Sequence, residues 1–410
     1  KSSKGRNLGK KLPVQKSSDI GKSLGSGGAG GGGAISDFAG ATGGVISEYR
    51  KSGLYYKAHV FYEPGTFTVT NPAVTAVDVL LVGGGGGGST GGGGAGAVVY
   101  KSGHSVSATG YPIVVGPGGL GRSGPQYGGQ GSTGTPSTAF GFTANGGGGG
   151  GAYGSGPTIV GANANGSGGG GGWHPGGTNS TGGTSAADNT HPGGTDVTSP
   201  NAGWGNAGGN CGSPLTAAYS TGGGGGAVGG GGHASGANSG GGGDGAAYTI
   251  LNGETVYFGG GGGGGMQGQT TAGRGGAGGG GAGGIYNATA NDAIGGSNGG
   301  EPGSSYGYRN ATPNNPQPHG TGSETGLGGP GGVGSGGGGG GMGVSVQQGG
   351  HGGPGIVVVR YYTPGYQDNH TAVDKLEASG GIVCIDYENK KAVHYFVNPG
   401  TFVASNNINA

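Results

Sequence analysis

Glycine fills 127 of the 410 positions, much of it in unbroken runs such as Gly83–Gly88, Gly146–Gly151 and Gly259–Gly265. Ordering glycine costs more backbone entropy than ordering any other residue, so these runs fold only if something offsets that cost along their whole length. The flanking sequence supplies the clue. Val77-Asp78-Val79-Leu80-Leu81-Val82 leads into the first long run, and Gly355-Ile356-Val357-Val358-Val359-Arg360 comes after the last. Aliphatic segments alternating with glycine predict a β-framework at the base and a glycine-built superstructure above it.

Several classes drop out on composition. Charged residues are 9% of the chain and the net charge is +1, whereas disordered chains stay soluble through high charge. Collagen needs glycine at every third position with abundant proline; here glycines are contiguous and prolines number 20. Cys211 and Cys384 are too few for a disulfide framework, and neither stands near a second kind of metal ligand. The longest apolar stretch, Val74–Val82, is about half the length of a membrane-spanning helix. The segment near Lys1 is basic and polar, without the apolar core of a signal peptide.

Residues 1–40 form a basic extended arm. Its first stretch holds Lys1, Lys4, Arg6, Lys10, Lys11, Lys16 and Lys22 against the single acid Asp19. A solvated tail and an arm docking on an acidic partner both fit this pattern. Nucleic-acid binding is not favoured, because aromatic residues are not interleaved before Phe38.

From Val45 onward the pattern is β. Val45–Tyr49 and Leu54–Tyr62 read as a hairpin, followed by strands at Thr66–Thr70 and Val74–Val82. Val77, Val79 and Leu81 share one face of the last strand and Leu80 and Val82 the other, which predicts a central position in its sheet. Further strands are expected at Ala97–Lys101, Ser105–Ser107, Tyr111–Val115, Thr138–Phe142 and Gly355–Tyr362. Between about 146 and 341 only Ala247–Leu251 and Thr255–Phe258 look like a hairpin, around Asn252-Gly253. A structureless loop of that length is improbable in a compact domain. Contiguous glycine favours an extended helix of three residues per turn whose backbone groups bond sideways. Such polyglycine II helices can pack hexagonally, with inter-helix N–H···O=C bonds satisfying the buried backbone.

The chain also repeats itself. Ala41-Thr42-Gly43-Gly44-Val45 recurs as Ala378-Ser379-Gly380-Gly381-Ile382, and His59-Val60-Phe61 with Pro64-Gly65-Thr66-Phe67 recurs as His394-Tyr395-Phe396 with Pro399-Gly400-Thr401-Phe402. The expected organisation is therefore the arm at 1–40, one glycine-rich unit at 41–364, and at 365–410 a linker with the opening strands of a second, incomplete unit.

No catalytic, cofactor-binding or metal-binding set emerges, and an enzyme is not expected. Matches to G-x-G-x-x-G occur by chance in so much glycine, and none opens an amphipathic helix. His174, His191 and His319 each adjoin proline in polar segments, while His59 and His394 hold equivalent strand positions that favour a structural role. Trp173 and Trp204 lie in the glycine-rich insert. Each indole either plugs a gap between helices or stands at a tip, ready to stack on a ligand such as a sugar ring. Tyr127, Tyr153, Tyr306 and Tyr308 divide between the same two roles.

The Ala-Thr-Gly-Gly opening, His59-Val60-Phe61 with Pro64-Gly65-Thr66-Phe67-Thr68-Val69, Val79-Leu80-Leu81-Val82 before Gly83–Gly88, and Gly355–Tyr361 resemble, in that order, the glycine-rich domain of tail-fibre and other virion proteins of marine bacteriophages. The layout is also similar to the glycine-rich module of the anaplastic lymphoma kinase receptor, although this chain lacks a disulfide set. The resemblance implies an all-β fold, a jelly-roll-like β-sandwich carrying a bundle of polyglycine II helices. It further implies a non-enzymatic virion protein, a tail fibre or fibre-associated receptor-binding adhesin, anchored through Lys4, Arg6, Lys10, Lys11 and Lys16. Expected partners are other virion proteins, further copies in a trimer, and a host surface glycan or protein. A capsid decoration or head-fibre protein is the alternative, and a bacterial surface or matrix adhesin a third.

Overall fold

The computed structural model describes residues 40–124, 129–154, 160–164, 166–173, 180–185, 204–212, 219–236, 238–267, 272–286, 311–312, 315–316, 331–336, 347–363, 378–379, 382–386, 391–395 and 403–404. The basic arm with Lys4, Arg6, Lys10, Lys11 and Lys16 lies outside them, as do Tyr127, Tyr306, Tyr308, His174, His191 and His319.

These residues form an all-β structure. Ten strands build its frame: β1 (Ala41–Thr42), β2 (Val45–Lys51), β3 (Leu54–Phe61), β4 (Gly65–Val69), β5 (Ala76–Val82), β6 (Val98–Ser105), β7 (Gly110–Val114), β8 (Ser137–Ala139), β9 (Phe142–Ala144) and β10 (Ile356–Tyr362). They make two antiparallel five-stranded sheets, in the order β2-β3-β10-β5-β6 and β1-β4-β7-β8-β9. β10 sits in the middle of the first sheet, with Val358 opposite both Val60 and Leu80. This sheet is apolar on both faces because its strands carry aliphatic residues at consecutive positions. Phe61, Val77, Val79, Leu81, Val357 and Val359 pack against Phe67, Ile113 and Ala139 of the second sheet. On the opposite face, Val60, Leu80, Val82, Val98 and Val358 pack against Trp204, Tyr248, Ile250, Leu251, Val256 and Phe258 of the insert. The insert is thus a third layer.

Two expectations change in detail. In place of separate strands at Ala97–Lys101 and Ser105–Ser107 there is one, β6 from Val98 to Ser105, which bulges at Gly103 (φ 58) where its register against β5 shifts. The expected strand Thr138–Phe142 is instead the hairpin β8–β9, turned by Phe140 and Gly141 at φ 54 and 80. A two-residue hairpin turn of this type I′ kind needs positive φ at both positions, and Phe is not a residue that signals one. The Phe140 ring packs against Phe67, His104 and Tyr111, which holds it there.

Beyond the sheets the glycine runs bond to one another. The direction of donation from Gly83–Gly88 rotates with a period of three residues. Gly83 and Gly86 donate to Ala97 and Gly94, Gly84 and Gly87 to Thr135 and Ser132, and Gly85 and Gly88 to Gly353 and Gly350. The neighbouring segment 91–97 donates to three others: Gly91, Gly94 and Ala97 to Gly151, Gly148 and Asn145, Gly92 and Ala95 to Gly222 and Gly225, and Gly96 to Gly334. It accepts from three more, through Gly86, Gly170 and Gly262 and their neighbours. Buried amides and carbonyls are therefore paired although no ladder of a sheet runs through them. Such close approach excludes side chains: a Cβ on Gly92 would stand closer than 3.0 Å to the Gly262 carbonyl oxygen.

The sequence repeat is also a structural one. Val45 pairs with Val60 in the first copy, as Ile382 pairs with Tyr395 in the second. Ala41 pairs with Val69, as Ala378 pairs with Ala404. Strand Ile382–Asp386 lies alongside β2, the edge of the central sheet. Phe396 and Phe402 of the second copy, and the side chains of Ile382, Val383, Ile385 and Val393, lie outside the described residues.

His59 is buried between the layers. Its Nδ1 donates to the Gly43 carbonyl at 2.6 Å, and the Tyr361 hydroxyl faces Nε2 at 3.4 Å. Burial lowers its pKa to about 4, against the raising effect of the Gly43 bond.

Two outcomes follow for stability. Gly92→Ala is expected to cost about 1–3 kcal/mol through overpacking. Gly129→Ala, with nothing within 4 Å of the new Cβ, is expected to stay within about 0.5 kcal/mol of wild type; urea melts of both variants check the contrast. His59 binds its proton more readily in the unfolded chain, so its contribution is full above pH 6.5 and is lost as pH falls toward about 4. That loss is on the order of 3 kcal/mol. Unfolding free energies of wild type and His59→Gln from pH 7.5 to 4 are expected to converge as pH falls.

Candidate functional site

Each glycine run that begins at a strand of the frame points the same way. Gly83 follows β5 and leads out to Ser89-Thr90, where the chain turns and comes back along 91–97 into β6. Segment 145–151 follows β9 and leads out to Tyr153; Gly147 and Gly150 donate to Gly84 and Gly87, so the two runs are parallel. Segments 131–135 and 349–355 return from the same side into β8 and β10. The lattice consequently has a base on the sheets and a far end away from them.

Non-glycine residues mark that far end. Thr90 Oγ1 donates to the Gly151 carbonyl at 2.9 Å, Thr221 Oγ1 to the Thr90 and Gly265 carbonyls at 2.8 Å, and Ser239 Oγ to Gly265 at 2.7 Å. Ser180 Oγ donates to Gly172. At the ends of runs a short hydroxyl bonds the carbonyls without the bulk that the lattice refuses, as at Gly151, whose carbonyl also accepts from the Thr90 and Gly91 amides. Met266, Ala272, Ala282 and Ile285 form a small apolar cluster here. Tyr219–Ser220, Met266–Gln267 and Ile285–Tyr286 tie it together as three short strands.

Tyr153 and Trp173 close two adjacent runs at this end. Their rings stack at 5.0 Å with planes 18° apart, and the Gly154 amide donates to the Trp173 carbonyl at 3.1 Å. Both side chains are 9% exposed. The pair is therefore largely buried, with no open ring face. Trp204 is elsewhere: it is 2% exposed, pairs by backbone with Val98 beside the central sheet, and packs near Tyr248. The described residues on either side of 125–128, 155–159, 174–179, 213–218 and 268–271 also stand at the far end. In sequence these intervals are richer in Pro, Ser, Thr, Asn and Gln than the runs between them, and the first contains Tyr127.

A family model described as a glycine-rich domain matches residues 62–312. The chain belongs to this family. The match takes in the strand frame from β4 to β9 and the lattice segments up to Ile285–Tyr286, while segments 331–336 and 349–355 follow it. No curated protein matches the chain. Among the described residues of this glycine-rich domain, no group of three or more His, Cys, Asp or Glu is placed to hold a metal ion. Nor is any helix there long and apolar enough to cross a membrane.

One polar cluster is not read from the sequence as a unit. Asp78 and Arg360 are opposite each other across β5 and β10. Arg360 Nε donates to Asp78 Oδ2 at 3.0 Å and its Nη1 to Tyr49 Oη at 3.1 Å, with the guanidinium 4.6 Å from the Tyr56 ring centroid. Tyr49 Oη in turn donates to the Ile250 carbonyl of the insert at 2.7 Å. Burial raises the pKa of that phenol well above its ordinary value, so it remains a donor. Asp78 Oδ1 accepts from the Gly103 amide at 3.0 Å and fixes the β6 bulge. The signal was an acid and a base set singly in otherwise aliphatic strands. The bonded chain that joins them to Ile250 draws on residues from Tyr49 to Arg360, and no local pattern reveals it.

Removing one partner strands the other charge in a partly buried place. Arg360→Met is expected to destabilise by about 3 kcal/mol. The double variant Arg360→Met/Asp78→Asn should recover at least about 1 kcal/mol, because the stranded carboxylate is gone. Denaturant melts of the two single variants and the double variant measure this.

Proposed function

We propose that this chain is a non-enzymatic structural protein of a bacteriophage particle, a tail fibre or fibre-associated receptor-binding adhesin. The observation that carries the reading is the one-sided lattice. Glycine runs leave the sheets, bond through a three-residue period and end together on one side, where the Thr90, Thr221 and Ser239 hydroxyls bond carbonyls, Tyr153 stacks on Trp173, and the adjoining sequence intervals are rich in hydroxyl and amide residues. In this reading the runs are polyglycine II helices, and the two sheets are a jelly-roll-like sandwich. Such a body is a stiff spacer with little titratable chemistry along it, and its ligand-facing groups are concentrated at one end. Neutral hydroxyl and amide groups beside aromatic edges suit a host surface glycan or protein loop. The basic arm, with Lys4, Arg6, Lys10, Lys11 and Lys16, would fasten the base to other virion proteins, and a trimer is the assembly this reading implies.

Immunogold labelling of purified particles with antibody to the chain tests the location. Gold on the tail fibres is the expected outcome. Gold on the head favours the decoration reading, and unlabelled particles with gold on bacterial cells favour the surface-adhesin reading. Particles carrying Trp173→Ala are expected to adsorb to host cells about tenfold more weakly, in line with the loss of one aromatic anchor. Unchanged adsorption constants would remove the Tyr153–Trp173 end from the contact surface.

A further inference from the structure

The rim of the lattice is not uniform. Exposed positions on outer runs come three residues apart, and they carry side chains at Pro117 and Leu120 and at Thr181 and Thr184. Segments 229–236 and 238–245 differ. They run antiparallel, with Gly229, Gly232 and Ser235 donating to Asp244, Gly241 and Asn238. Gly231 and Ala234 donate to Ala207 and Asn210 on one flank, and Gly242 and Gly245 to Arg274 and Ala277 on the other. Every third amide is left over. Among the described residues, the amides of Gly230, His233, Gly241 and Asp244 donate to no carbonyl, and the Gly230, His233 and Gly242 carbonyls accept from no amide. The two side chains here are laid aside. His233 Nδ1 accepts from the Asn210 amide at 2.9 Å and Asp244 Oδ1 from the Ala277 amide at 2.9 Å, so each folds over a flanking run. Bare backbone remains between them at Gly230 and Gly241. Neither has a positive φ. A Cβ on Gly230 would meet nothing nearer than the Ala207 carbonyl oxygen at 3.7 Å, and one on Gly241 nothing nearer than the Arg274 carbonyl oxygen at 3.5 Å. One residue away, a Cβ on Gly231 or Gly240 would stand closer than 3.0 Å to a carbonyl oxygen. Packing within the molecule therefore accounts for Gly231 and Gly240 but not for Gly230 and Gly241.

We infer that this bare seam is an interaction surface for the same seam of a second copy of the chain. Spare amides at every third residue, about 9 Å apart along an extended three-residue helix, match a partner whose carbonyls have that spacing. A partner with side chains on its contact row cannot come within hydrogen-bond distance, for the reason that excludes a Cβ from Gly92 inside the lattice. The seam itself meets both conditions, since it has spare carbonyls beside its spare amides and glycine at Gly230 and Gly241. Two copies related by a two-fold axis present it to each other, donors to acceptors in both directions, and the contact closes as a dimer. Charge agrees. Asp244 and Arg274 are both exposed, on adjacent runs and of opposite sign, so a surface that faces itself can set acid against base. The dimer continues the lattice across two molecules, and it does not rest on the proposed function.

Sedimentation of the full chain is expected to show its mass doubling as concentration rises from low to high micromolar. Over the same range, hydrogen exchange followed by mass spectrometry should slow about tenfold across 229–234 and 240–244, with exchange at 91–97 constant. Gly230→Leu and Gly241→Leu should each weaken association by about tenfold or more. Their melting curves and their exchange at 91–97 should match wild type, because each new Cβ has room in the single molecule. Thr184→Leu, which enlarges a side chain at another exposed rim position, should associate as wild type does. The inference is overturned if the chain stays monomeric at high micromolar concentration, or if it associates with exchange across 229–234 and 240–244 unchanged. It is equally overturned if both glycine variants associate as wild type does.

Discussion

The bond from one glycine amide to the carbonyl of a neighbouring glycine run is the interaction on which the rest of this structure depends. Fixing each residue of a run costs about 1–2 kcal/mol of backbone entropy, and glycine has no side chain whose burial could offset it. What remains is the backbone itself, together with the close approach that a missing Cβ allows. Segment 91–97 uses both fully: it donates to three neighbours and accepts from three. A net contribution of about 1 kcal/mol per hydrogen bond is modest, but an unpaired group in this interior would cost more, so the lattice is an all-or-none arrangement. The rare hydroxyls at Thr90, Thr221 and Ser239 stand where the arrangement stops and add donors to the Gly151, Thr90 and Gly265 carbonyls.

A lattice of this kind needs something to fix where it begins. The central sheet does so because its strands are aliphatic at successive positions and therefore apolar on both faces. One face is covered by the second sheet, as in any sandwich. The other is covered by Trp204, Tyr248, Ile250, Leu251 and Phe258, all drawn from the insert. The Arg360–Asp78–Tyr49 chain adds direction to this contact by ending on the Ile250 carbonyl. Burial of Trp204 at the base and stacking of Trp173 on Tyr153 at the far end give the two tryptophans different settings, although both sit beside glycine in sequence.

The repeated hairpin shows how much of the frame is local. Registers recur residue for residue between the two copies, since each follows from a short turn and an apolar pattern that the sequence contains twice. The turn at Phe140-Gly141 shows the limit. There the surrounding rings, not the turn residues, hold a positive φ, and sequence reasoning placed one strand where the chain makes two.

By itself the sequence determined the β-frame, its two-faced central strands, the hairpin repeat and the need for glycine runs to bond sideways. These are properties of residue spacing, of missing Cβ atoms and of short-range turns, all written locally. Only the tertiary structure decided which runs are neighbours, because glycine runs are nearly identical as sequences and their partners are chosen by the strands and turns at their ends. It alone placed Trp204 inside and joined Asp78, Arg360, Tyr49 and Ile250. It also gathered the ends of runs scattered from Thr90 to Ile285 at one end of the molecule. Those relations join residues from tens to hundreds of positions apart, as Gly94 with Gly148 and Asp78 with Arg360, where no periodicity in the chain carries the information.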